Sequence, residues 1–211
     1  MFRRASGRPR PLPREFLDWQ VALRRHTMEE RHGAPHAGVA PLVTVHRPGP
    51  GPGFLSSSVI CGLLPHPEQL ARKTEEFRSL YESGLEAGAR AVYDRGIQYF
   101  RDYYRSADDF DPDSLTTLLP EKTPLAEALR ADPRCALVFF VFDLTDRSEI
   151  GRLRCLQLDG FAELLDAGPV YDNVLWHNAL FHGVVDDHVV IRFRHEASFD
   201  TRFGAMEPIV S

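Results

Sequence analysis

The sequence predicts an α+β fold: a small antiparallel β-barrel or strongly curved sheet with a long central helical insertion. Three observations predict it. Residues 135–144 are almost wholly apolar, the pattern of a strand buried on both faces. Residues 152–165 alternate apolar and polar side chains, the period of a half-buried strand. Residues 67–105 carry apolar side chains at helical spacing. The chain has 211 residues, 43% of them hydrophobic, which suits one domain with its own core. The predicted organisation is a flexible basic arm over 1–14 and a single domain over 15–211. Within that domain, 67–113 form the helical insertion and an acidic linker.

Residues 15–31 read as a helix. Phe16, Leu17, Val21, Leu23, Arg24 and Met28 form an imperfect apolar stripe, with Pro13 just before it. Pro41 to Arg47 reads as a strand and residues 54–64 as its hairpin partner. The Pro and Gly alternation over 48–53 breaks the ladder between them. Ser56, Ser57 and Ser58 stand in the second strand, as a strand end or as hydroxyls offered to a ligand. In 67–105 the first turn is marked by Pro67 and Glu68, and Asp94-Arg95-Gly96 predicts a kink or break. Gly84 and Gly88 lie four apart and permit close packing. Tyr99, Phe100, Tyr103 and Tyr104 form an aromatic stripe, read as core. Residues 108–113 read as the acidic linker. Thr123 caps a short helix with Pro124 at its first position, ending near Ala131. Residues 170–185 and 188–199 read as two further strands joined at Asp186-Asp187.

Charge divides the chain. There are 25 basic and 30 acidic residues, a net charge of −5. Five of the basic residues are arginines within residues 1–14, where there is no acid, which leaves a net of −10 on the remainder. The arm is read as solvated chain or as a contact for a protein partner. The acidic body makes a nucleic-acid partner unexpected, since phosphates repel it. No apolar run is long enough to span a bilayer, so membrane insertion is not expected. Cys61, Cys135 and Cys155 are odd in number and far apart, which fits reduced thiols in a cytoplasmic location. Nucleophile-elbow, phosphate-loop, dinucleotide and zinc-protease motifs are missing.

The last two predicted strands hold most of the polar chemistry. Pairing Val185 with His188 sets Asn178 opposite His195 and His182 opposite Ile191. His182, His195 and Asn178 would then share a mostly apolar face that could line a pocket. His177 and His188 would lie on the other face with Arg192 and Arg194, a potential anion surface. His177 and His182, five apart, would point to opposite sides of a strand, so no metal site is expected.

Two pieces together resemble the FMN-binding split β-barrel superfamily, the pyridoxamine-phosphate-oxidase-like proteins. Leu42-Val43-Thr44-Val45 followed by Ser57-Ser58-Val59-Ile60 looks like its opening hairpin. Leu129 to Phe140, with Asp132-Pro133-Arg134, looks like its helix, turn and buried strand. Residues 154–165, centred on Gly160-Phe161-Ala162-Glu163, are similar to the next strand. The resemblance implies FMN or a related planar cofactor, an oxidoreductase role and a homodimer. It implies cofactor contacts at Ser57, Ser58, Arg134, Arg154 and Gln157, with His182 or His195 near the pocket. The chain departs from the pattern where a helical stretch stands in place of an early third strand. It departs again where Ser58, Cys155 and Gln157 replace the usual polar and cationic contacts. The basic arm and long helix also fit a non-enzymatic interaction or regulatory protein.

Overall fold

The computed structural model describes residues 9–31, 40–46, 53–142, 153–184, 186–200 and 207–208. The helices are α1 (Arg14–Arg31), α2 (Leu70–Leu85), α3 (Ala89–Tyr103), α4 (Pro124–Ala131) and α5 (Pro169–His182). The strands are β1 (Leu42–His46), β2 (Phe54–Ser58), β3 (Gly62–Pro65), β4 (Phe110–Pro120), β5 (Arg134–Phe142), β6 (Leu153–Leu165), β7 (His188–Asp200) and β8 (Glu207–Pro208). They form one antiparallel sheet in the order β2-β1-β5-β6-β7-β4-β3, with β8 paired to β7. The fold is α+β with an open, curved sheet.

The curvature follows from the chain itself. β2 and β3 occupy opposite ends of the strand order, yet only residues 59–61 connect them. So short a connection reaches roughly 14 Å at full extension. The two edges must therefore approach each other, leaving a seam instead of a final ladder. The predicted single strand over 54–64 is thus two strands on either side of that seam. Side chains facing the inside, among them Val43, Val45, Cys135, Leu137, Leu115, Ile191 and Phe193, fill the interior. α1 packs on this core through Phe16, whose ring lies 4.9 Å from that of Phe139. α4 adds Leu125 and Leu129, and its predicted Thr123 cap accepts a hydrogen bond from the Ala126 N–H.

The sheet register contains one forced glycine. The β6–β7 pairing shifts between Asp159 and Gly160. A Cβ at Gly160 would sit 2.0 Å from the Arg194 carbonyl oxygen, so only glycine allows the strands to meet.

Three elements differ from expectation. The predicted strand over 170–185 is helix α5, so the pairing of Asn178 with His195 does not exist. α5 packs against α2 and α3 on one side and β3, β4 and β7 on the other. A helix buried on several sides has no clean amphipathic period, which made its apolar content read as strand. Its end is fixed by Gly183, with φ of 77°. The acidic linker over 108–113 is a short 3-10 turn followed by the start of β4. Asp111 is buried there and accepts from the Ser114 hydroxyl at 2.8 Å, while Arg192 pairs with it at 3.1 Å. The break in the insertion falls at Glu86–Gly88, between α2 and α3, and Asp94-Arg95-Gly96 lies inside α3. Gly84 does permit close packing, against Val92 of α3.

The described part of the basic arm is held in place. The Arg10 N–H donates to the His195 carbonyl, the Leu12 N–H donates to the Pro112 carbonyl, and Leu12 is buried. Residues 1–8 of the predicted arm and 48–52 of the predicted Pro and Gly break lie outside the described residues.

Candidate functional site

At the seam lies a cavity of about 370 Å³. One wall is α5. Asn173, His177 and Phe181 recur every four residues and share one helix face, and Asn178 and His182 also line the cavity. The opposite wall is β4 from Thr116 to Leu119 together with the β2–β3 connection from Ser58 to Leu63. Arg24 of α1 and Tyr104, just past α3, also line it. The walls are mainly apolar, and the polar groups lie at defined points, which is the usual make-up of a small-ligand site.

Each polar group is positioned by its neighbours. The Asn173 amide donates to the Thr74 hydroxyl at 2.9 Å. The Tyr104 hydroxyl lies 3.3 Å from Nε2 of His177, whose ring packs edge-on to Phe100 at 4.7 Å. Burial raises the Tyr104 pKa, so the phenol remains protonated. Burial likewise pushes the Cys61 thiol up to about 12, so it is no nucleophile at neutral pH. Arg24 is 1% exposed. Its guanidinium donates to the Gln20 carbonyl at 3.0 Å, the Gln20 side-chain oxygen at 2.6 Å and the Cys61 carbonyl at 2.5 Å. It also lies over the Tyr104 ring, 5.7 Å from the centroid.

Of the residues expected to contact a cofactor, Ser58 and His182 line this cavity. Ser57 and Ser58 are adjacent in β2 and face opposite sides of the sheet. Arg134 pairs with Asp132 at 2.6 Å. Gln157 donates to Asp159 at 2.6 Å on the outer face of the sheet. Arg154 lies in β6 opposite Val141, and its side chain is outside the described residues. His195 does not line this cavity. Its Nδ1–H donates to the Pro11 and Arg10 carbonyls at 3.0 and 3.2 Å, and its Nε2 accepts from the Ser198 hydroxyl at 2.8 Å. Burial lowers the His195 pKa. The expected anion surface also dissolves: Arg192 pairs with Asp111 and Arg194 with Glu163. Among the described residues no group of three or more metal-ligating side chains occurs. No helix is long and apolar enough to cross a membrane, again among the described residues.

Sequence reasoning missed Arg24, Tyr104 and Asn173 as site residues, and it placed His177 on a strand. The signal for Arg24 was its place in an apolar helical stripe, an unusual position for a cation.

No protein-family model matches the chain, and no curated protein matches it. Solved structures do. "Putative Pyridoxamine 5'-phosphate oxidase" from Listeria innocua is 12% identical, with a TM-score of 0.46 over 90% of this chain and 99% of that one. HutZ, the heme storage protein from Vibrio cholerae, is 10% identical, with a TM-score of 0.45 over 83% of this chain and 90% of that one. A heme binding protein from Mycobacterium smegmatis is 14% identical, with a TM-score of 0.46 over 90% of this chain and 57% of that one.

Proposed function

We propose that the chain binds a small planar organic ligand, FMN or a related planar cofactor such as haem, in the cavity between α5 and β4. The cavity carries this reading: about 370 Å³, walled by Ile60, Leu63, Leu118, Val174 and Phe181 and edged by Tyr104, His177 and Asn178. Apolar walls take the faces of a planar body, and the polar edge orients it. The phosphate contacts that the split-barrel resemblance implied are not gathered here, since Arg134 and Gln157 are committed elsewhere. A flavin bound here would supply the redox chemistry of an oxidoreductase, while this chain would bind, orient and shield it.

Titration of the purified chain with FMN and with haem, followed by absorbance, tests the reading. Saturable uptake of one of them is expected. Ile60→Trp, which fills the cavity mouth, should abolish that uptake, whereas Phe140→Ala on the outer sheet face should leave it unchanged. No spectral change with either compound overturns the reading. Uptake undiminished in Ile60→Trp moves the site elsewhere.

The same reading takes the chain as a homodimer. Leu42, Phe54 and Phe140 share the outer face of β2-β1-β5 and are all exposed. Self-pairing of that face meets little like-charge repulsion, because Arg134 is already balanced by Asp132.

A further inference from the structure

Arg24 is the one fully buried cation that lines the cavity among the described residues, and no carboxylate pairs with it there. Its partners are two carbonyls, a side-chain amide oxygen and the Tyr104 hydroxyl, all neutral. A guanidinium removed from water without a counter-anion is costly. Arginine does not escape the cost by losing its proton. The imbalance extends to its neighbour. Nε2 of Gln20 is buried and has no hydrogen-bond partner in the described structure. The nearby cations of the sheet do not share this property, since Arg134, Arg192 and Arg194 each face an acid.

We propose that the cavity takes a ligand bearing an anionic group, a phosphate or a carboxylate, seated against Arg24. This deepens the planar-ligand reading and rests on it for what fills the remainder of the cavity. The guanidinium supplies charge and directed N–H donors, and anions bind such groups more strongly than neutral acceptors do. Tyr104, Thr116 and Thr117 lie on the same cavity lining.

Two probe pairs test the seat in the full chain. FMN and riboflavin differ only by a phosphate, and protoporphyrin IX and its dimethyl ester differ only in free carboxylates. The wild-type chain should bind the charged member of one pair more tightly by about tenfold or more. Preference within the flavin pair identifies a phosphate seat, and preference within the porphyrin pair identifies a carboxylate seat. Arg24→Met, which keeps volume and removes charge, should abolish the preference. Arg24→Gln replaces it if that variant fails to fold. Equal binding of charged and neutral members overturns the anion seat and leaves the planar-ligand reading standing. A preference undiminished in the variant also overturns it. Binding of none of the four overturns the planar-ligand reading. Inorganic phosphate and acetate then decide the seat alone. A rise in wild-type unfolding temperature that Arg24→Met lacks supports it, and no rise in the wild type overturns it.

Discussion

At Arg24 and at His195 a buried polar side chain is settled in opposite ways. Arg24 retains its charge amid neutral acceptors, whereas His195 gives up its charge and ties the N-terminal segment to β7 through the Arg10 and Pro11 carbonyls. Burial lowers the His195 pKa from its ordinary 6.5, outweighing the carbonyls that favour the imidazolium. Below pH 6.5 the unfolded chain therefore takes up a proton that the native chain resists, and stability falls as pH falls toward the folded value. Asp159 and Glu196, raised chiefly by burial, act with the opposite sign at lower pH. The informative quantity is thus the difference between wild type and His195→Gln. Chemical denaturation at pH 7.5 and 5.5 should show a smaller acid loss in the variant, and equal losses would refute the assignment. Both residues show how far sequence reading reached. Met28, Val21 and Phe16 identify the buried side of α1 by spacing alone, and Arg24 falls on the same stripe. Nothing in the spacing tells whether a cation on such a stripe snorkels outward or lines a cavity, because that depends on β3 and α5, far along the chain.

At the scale of elements, β6 alternates and α4 carries its cap in Thr123 and Pro124, so each stands where the sequence placed it. β5 also stands where its apolar run placed it, but it is not buried on both faces as that run implied, since Phe140 on the outer face is 57% exposed. β4 and α5 were not legible. Asp111-Pro112-Asp113 has the composition of a linker, and only the distant Arg192 turns its acid into an internal partner. α5 is enclosed on several sides and lacks a polar stripe. The site inherits this division: Ser58 and His182 were found, but most of the cavity wall belongs to the two elements that were misread. Gly160 shows what local sequence can conceal in the opposite direction, since a glycine inside an alternating strand marks a bulge only once its neighbour is known. Gly160→Ala would press a Cβ into the Arg194 backbone. Backbone cannot rotate away as a flexible side chain would, so the β6–β7 ladder must part at its irregular point. A loss of about 3 kcal/mol in denaturant unfolding is expected, in the range of overpacking in a closed site. A loss below about 1 kcal/mol would show that the ladder adjusts at little cost.

For the whole molecule, the two proposed roles, ligand uptake and self-association, fall on the seam and on the outer face. The short β2–β3 connection brings the sheet edges together and leaves the cavity between them, and the outer side of β2-β1-β5 is a separate face. On that side Leu42, Phe54 and Phe140 are 46%, 54% and 57% exposed, and Thr44 and Ser56 between them bond to each other through their hydroxyls at 3.1 Å. An isologous dimer needs a face that matches its own copy, and an apolar, nearly neutral sheet meets that condition. The association should therefore show a mass of twice 23.9 kDa in light scattering at micromolar concentration. Phe54→Glu combined with Phe140→Glu places like charges across the two-fold axis and should return the chain to a monomer. Neither residue lines the cavity or enters the core, so the monomeric variant should still fold, with a lower thermal stability from the lost subunit linkage and the lost Phe54–His46 ring contact. A monomeric wild type refutes the dimer. A variant that remains dimeric assigns the contact to another face, and ligand uptake that survives monomerisation shows the cavity to be complete within one chain.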